Sequence, residues 1–146
     1  MVIMSKFSES LSELMDEHGL TVQKLSEDTG INFPNIYSYL RAERLPSVEK
    51  ALVLADYFNC SVGYLLGMEQ EKHPQNYQEC PPFPQQLQFL IQYFSVSAYK
   101  IYTNTNISKA RFFEWKSGKR KPSLDNIIKL AEFFDCSVDF VLGRVK

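Results

Sequence analysis

Apolar residues recur at helical spacing along most of the chain, and polar turn residues punctuate them. Phe7, Leu11, Leu14, Met15 and His18 fall on one face of a helix, which Gly19 closes with a left-handed cap. Thr21 caps a second, shorter helix to about Thr29, with Val22 and Leu25 inward. Gly30 supplies a turn that needs positive φ. Asn32 caps a third helix to about Leu40, and Pro34 lies in its first turn, where no helical hydrogen bond is lost. Its inward residues, Ile36 and Tyr39, turn Phe33, Asn35, Tyr37 and Ser38 outward. Ser47 starts a fourth helix, with Val48, Ala51, Leu52, Ala55 and Phe58 inward and Asn59 as a left-handed stop. Ser61 opens a short fifth, VGYLL, ended by Gly67. A unit of about sixty residues can fold alone, with little margin.

The same pattern returns further along. Residues 11–67 align with 87–143 without a gap over 57 positions, and 16 pairs are identical. They include Leu14/Leu90, Ile31/Ile107, Arg44/Arg120, Pro46/Pro122, Ser47/Ser123, Cys60/Cys136 and Gly67/Gly143. Other apolar positions exchange one apolar residue for another: Leu25/Ile101, Ile36/Phe112, Tyr39/Trp115, Leu65/Val141. Such self-similarity marks one supersecondary unit used twice. The predicted fold class is all-α: two tandem five-helix domains, 5–67 and 84–143, joined by a Pro/Gln-rich linker over 68–83. Pro74, Pro81 and Pro82 lie in that linker. Proline fixes φ and removes a donor, so the segment is not a helix. Pro84 suits the first turn of the next helix.

A hydrophobic fraction of 45% with 23% charged residues excludes a disordered chain. No apolar run approaches the roughly 18 residues of a membrane span, and MVIMSKFSES lacks a signal-peptide core, so a cytoplasmic location is expected. Net charge is −1, but its distribution is uneven. Residues 1–67 carry five Lys and Arg against nine acids, −4; residues 87–146 carry ten against five, +5. The excess is concentrated in FFEWKSGKRKPS, Phe112 to Ser123, where an aromatic helix end runs into a basic turn. The matching stretch of the first copy, IYSYLRAERLPS, is weaker.

Each copy resembles the phage-repressor or Cro-like helix-turn-helix (XRE) family. The second carries the clearer motif, SGKRKPS followed by IIKLAEFFDCSVDFVLG; the first has ERLPS and ALVLADYFNCSVGYLLG. The resemblance implies that the third helix of each copy, Asn32–Leu40 and Ser108–Lys116, enters the DNA major groove while the second crosses the backbone. In the second copy it turns Ser108, Lys109, Ala110, Phe113, Glu114 and Ser117 toward the groove, with Arg111 at its edge. Lys119, Arg120 and Lys121 then meet phosphates. In the first copy the matching set is Asn32, Phe33, Pro34, Tyr37, Ser38 and Arg41, with Arg44 behind and Asn35 on the same outward side. This chain departs from the family at the start of the second helix, where Val22 and Ala98 replace a bracing Gln. Tyr102 stands where the family has a small residue, and Ala42 where the second copy has Gly118.

Lys109, Arg111, Lys116, Lys119, Arg120 and Lys121 fall within thirteen residues, which suits phosphate neutralisation by counterion release. A solvated, functionless helix face is the other reading. Phe33, Tyr37 and Phe113 suit thymine methyls, packing, or a protein partner of the acidic first copy. Cys60 and Cys136 share a repeat position and are expected to be small buried hydrophobes, leaving Cys80 as the exposed thiol. Three cysteines and two histidines give no disulfide framework, no metal spacing and no cofactor. No nucleophile–base pair is present, so no enzyme is expected. Two functions remain: a sequence-specific transcriptional regulator bound to double-stranded DNA, or an antitoxin- or antirepressor-like protein-interaction module. Two copies can mimic a dimer in one chain, or a fifth-helix surface such as Tyr64 and Leu65 can pair two chains as a homodimer.

Overall fold

A computed structural model describes residues 2–145. Among them are ten helices and no strand: α1 Val2–Glu17, α2 Val22–Thr29, α3 Phe33–Leu40, α4 Val48–Phe58, α5 Val62–Leu65, α6 Phe83–Phe94, α7 Ala98–Asn104, α8 Lys109–Ser117, α9 Leu124–Phe134 and α10 Val138–Leu142. The chain divides into two compact units, Met1–Asn76 and Tyr77–Lys146, of five helices each.

Local chemistry sets the helix starts. Thr21, Asn32, Ser47 and Ser61 accept a hydrogen bond from the N–H three residues on, and Ser97, Ser108, Ser123 and Ser137 do the same in the second unit. Each partner in the second unit lies 76 positions after its counterpart, so the ungapped alignment is also the structural register. Pro84 sits in the first turn of α6. Asn59 and Asp135 end the fourth helix of each copy at φ 50° and 53°.

The two cores match position by position. Leu14, Leu25, Ile36, Tyr39, Leu54 and Leu65 are buried in the first unit; Leu90, Ile101, Phe112, Trp115, Leu130 and Val141 are buried in the second. Fully burying such side chains contributes about 1.5–3 kcal/mol each. The repeat extends upstream of residue 11: Phe7 packs edge-on against Tyr39 at 5.4 Å, and Phe83 against Trp115 at 6.1 Å. Phe83, placed in the linker by the sequence pattern, is thus the first residue of α6 and packs against α8. Leu52 and Val48 are only half-buried, and Leu54 takes the inward place beside Ala51 and Ala55. His18 is exposed, its Nδ1 2.9 Å from the Leu14 carbonyl.

The proline-rich stretch forms no helix before Phe83, yet it is docked at both ends. Ser61 N–H donates to the Lys72 carbonyl at 2.8 Å, and the Lys72 ammonium pairs with Glu17. On the other side Gln78 donates to the carbonyls of Arg144 (3.1 Å) and Gly143 (2.7 Å), and Tyr77 lies 3.7 Å under the Arg144 guanidinium. A carboxylate from a different place completes each unit. Gly63 leaves room for Glu69, which accepts from Ser61 Oγ at 3.2 Å; Asp139, at the equivalent position, is itself buried and bonds Arg144 at 2.9 Å.

Candidate nucleic-acid interface

Helix α8 buries one side through two aromatic residues. Phe112 and Trp115 are fully buried, so the residues between them turn to solvent. Ser108, Lys109, Ala110, Arg111, Phe113, Lys116, Ser117, Lys119, Arg120 and Lys121 are all exposed, and Glu114 is half-buried. Gly118, at φ 83°, ends the helix and folds the chain back, so that Arg120 N–H donates to the Glu114 carbonyl at 3.3 Å. Lys119 to Lys121 are thereby placed beside the helix rather than beyond it. Glu114 carries a carboxylate on this face: it lies 3.6 Å from Arg111 Nε and 3.4 Å from Arg120 Nε. Lys116 covers the Phe113 ring at 5.9 Å. Ser108 Oγ accepts from Arg111 N–H at 3.1 Å, which leaves its O–H as a donor.

The same face of α3 has a different character. Asn32, Phe33, Pro34, Tyr37, Arg41 and Arg44 are exposed; Asn35 and Ser38 are half-buried. Asn32 Oδ1 is taken by the Asn35 N–H at 3.0 Å. Arg41 stands 5.6 Å over the Tyr37 ring and 3.9 Å from Glu43. Arg44 donates to Asn35 Oδ1 at 2.9 Å. The exposed large apolar side chains of this face are Phe33 and Tyr37.

Neighbouring helices extend the contrast. In the first unit Lys24 pairs with Asp28 at 3.1 Å, and Tyr57 Oη donates to Asp28 at 2.6 Å. The Tyr57 hydroxyl, with Lys24 second, holds the Asp28 carboxyl below its ordinary range. In the second unit Asn104 and Phe133 replace Asp28 and Tyr57, so Lys100 has no such carboxylate opposite it. Lys100 is exposed in the first turn of α7. Lys24 and Lys100 are an identical pair, and the loss of the acid four residues on distinguishes the two. Gln23 is exposed and bonds Glu27 at 3.2 Å, so it does not substitute for the bracing Gln. Tyr102 fills the angle between α7 and α8, 5.9 Å from Phe112 and 6.2 Å from Phe113.

Of the three thiols, Cys60 is fully buried, while Cys136 and Cys80 are both half-buried. Burial, aided by Asp135, pushes the Cys136 thiol up to about 11. Leu65 is also fully buried, which removes it from any pairing surface and corrects the expectation of a Tyr64–Leu65 dimer patch. No group of metal-ligating side chains occurs among the described residues, and no described helix is long and apolar enough to cross a membrane.

Comparison with known proteins agrees with this architecture. A Cro/C1-type HTH DNA-binding domain matches residues 10–71, and a helix-turn-helix family matches residues 104–141. The two matches identify two tandem helix-turn-helix domains, the first of Cro/C1 type. The chain is also similar to YobD of Bacillus subtilis (strain 168), an uncharacterised HTH-type transcriptional regulator, with 29% identity over 68 residues. That match covers 47% of this chain and 61% of the relative, so the chain spans less than two thirds of its length. No solved structure matches.

Proposed function

We propose that the protein is a sequence-specific DNA-binding transcriptional regulator whose main reading element is α8. One observation carries this: Lys109, Arg111, Lys116, Lys119, Arg120 and Lys121 are exposed around a single helix and its following turn. Lys or Arg on the groove side suits guanine O6 and N7, and Phe113 suits a thymine methyl. The residues past Gly118, with Lys100 on α7, suit phosphates. Binding rather than catalysis is the activity, and double-stranded DNA in the cytoplasm of a bacterial or phage-infected cell is the ligand. If about five phosphates are neutralised, the log–log salt slope is roughly −4 to −5.

The test is a selection from random duplexes with the intact protein, followed by binding assays at two salt concentrations. A preferred sequence and a steep salt slope are expected. Equal affinity for all duplexes, with no slope, would refute the reading.

A second function is favoured for the first unit by a specific observation. The exposed large apolar residues of α3 are Phe33 and Tyr37, Arg41 has Glu43 at 3.9 Å, and Arg44 donates to Asn35 at 2.9 Å. That face suits a protein partner better than phosphates. Loss of DNA affinity on Phe33→Ala with Tyr37→Ala would return α3 to DNA reading; unchanged DNA affinity is the result expected.

A further inference from the structure

Three aromatic rings form a row on the outside of the second unit. Tyr99, in the first turn of α7, is 68% exposed, and Phe113 on α8 is 42% exposed. The half-buried Tyr102 stands between them, 5.7 Å from Tyr99 and 6.2 Å from Phe113. Cations border the row. Lys100 follows Tyr99 and is exposed, Lys109 lies one helical turn before Phe113, and Lys116 covers the Phe113 ring at 5.9 Å. The sequence from Cys80 to Phe113 contains no Asp or Glu, and the next acid, Glu114, faces Arg111 and Arg120. The first unit lacks this arrangement. Gln23 and Ser26 take the places of Tyr99 and Tyr102, and Glu27 and Asp28 follow on α2. The same fold thus stands with Gln and Ser at these positions, so helix packing does not require the two tyrosines.

We propose that Tyr99 and Phe113 form a stacking platform for the unpaired bases of single-stranded DNA, with Lys100, Lys109 and Lys116 on its phosphates. In a duplex the groove presents base edges, and the faces are stacked away. A base freed from its pair offers a flat face to an exposed ring, whatever its sequence, and rings set among cations are how single strands are held. Charge selects this occupant over a protein. A neutral apolar partner would cover the rings and leave the cations without counter-charge, whereas a strand supplies one ring and one anion per nucleotide. Thr103 Oγ1 and Asn104 Nδ2, beside the rings, donate back to the Tyr99 and Lys100 carbonyls at 2.7 Å, so neither donor serves a ribose 2′-OH. The strand is therefore DNA. This site does not depend on duplex reading by α8, although Lys109 and Phe113 belong to both surfaces and the two ligands should compete.

Anisotropy of labelled oligonucleotides with the intact protein tests the platform without any duplex. An oligo-dT strand of about twelve nucleotides should bind at least about tenfold more tightly than an abasic strand of equal length, which keeps the phosphates and lacks the bases. Tyr99→Gln, the residue the first unit has there, should weaken oligo-dT about tenfold, and Tyr99→Phe should retain it. Both variants should bind random duplexes as the wild type does, and oligo-rU should bind no more tightly than oligo-dT. Should Tyr99→Gln lose helicity by circular dichroism, the abasic comparison in the wild-type protein decides. Equal affinity for the abasic and oligo-dT strands, or a folded Tyr99→Gln protein that holds oligo-dT as before, would overturn the proposal. Tighter binding of oligo-rU would overturn the choice of DNA. Oligo-dT binding that depends on Tyr99 in a protein without duplex affinity would support this site and count against duplex reading by α8.

Discussion

Arg44 Nη1 donates a 2.9 Å hydrogen bond to Asn35 Oδ1 across the turn that follows α3. The equivalent residues of the second unit, Arg120 and Arg111, are both cations and cannot bond each other. Glu114 stands between them and faces both guanidinium groups. One acid thus holds two arginines in place and also masks part of their charge.

Removing that charge should show on DNA. Glu114→Gln is expected to raise affinity for every duplex and to steepen the log–log salt slope by about 1, as one more phosphate contact would. Fluorescence anisotropy over a salt series reads both. A slope that became shallower would mean that Glu114 organises the arginines more than it masks them.

The two parts of the basic face should separate by specificity. Lys119→Ala with Arg120→Ala should weaken all duplexes alike and flatten the slope by about 1–2. Lys109→Ala or Arg111→Ala should in addition relax the base preference by about 1–3 kcal/mol at one position. Selection repeated with each variant distinguishes them. Unchanged affinity in a variant lacking all four cations would place the DNA surface elsewhere.

Ala42 and Gly118 occupy one repeat position and both have positive φ, 58° and 83°. Only glycine takes this conformation without strain. Ala42→Gly should therefore stabilise the first unit by about 0.5–1 kcal/mol, raising its melting temperature by a few degrees. Gly118→Ala should cost about 1 kcal/mol. Its new Cβ would sit 3.5 Å from Pro84 Cγ, an ordinary contact, so the cost is in the backbone. Thermal melts of both variants measure the pair of opposite signs.

Arg144 is 1% exposed, bonded to Asp139 and covered by Tyr77. A second unit cut at residue 81 loses Tyr77 and Gln78, whereas one cut at residue 77 keeps them. The longer fragment should be more stable by about 2 kcal/mol or more, the worth of a desolvated cation–π contact. Asp139→Ala should cost about 3–5 kcal/mol in the intact protein, because a buried guanidinium loses its carboxylate. Denaturant unfolding checks both; equal stability of the two fragments would show that the Tyr77 contact adds nothing.

The thiols should react in order. Cys80 should label first in the native protein, Cys136 slowly and Cys60 only on unfolding. The thiolate is the reactive form. With the Cys136 thiol near 11, its labelling rate should rise about tenfold per pH unit between about pH 7 and pH 9. A flat rate for Cys136 over that range would contradict its raised thiol pKa.

The helix starts, the helix stops and the repeat were legible in the chain because they are local. A Ser or Asn cap bonds an N–H three residues away, and an apolar stripe is a matter of spacing. The outward setting of Phe113, Lys109 and Arg111 followed from the inward setting of Phe112 and Trp115 for the same reason. What depended on distant residues was decided only by the tertiary structure. Phe83 reads as linker until Trp115, thirty-two positions on, gives it a ring to pack against. Lys72 and Gln78 read as free tether until their partners at Ser61, Glu17 and Gly143 are in place. Leu65 reads as surface in a four-residue helix, whose few positions define no face, and is buried by its neighbours. Glu114 reads as one more groove-facing residue, and only the fold-back at Gly118 brings Arg120 to it. Spacing along a helix fixes direction; which charges meet depends on where the chain returns.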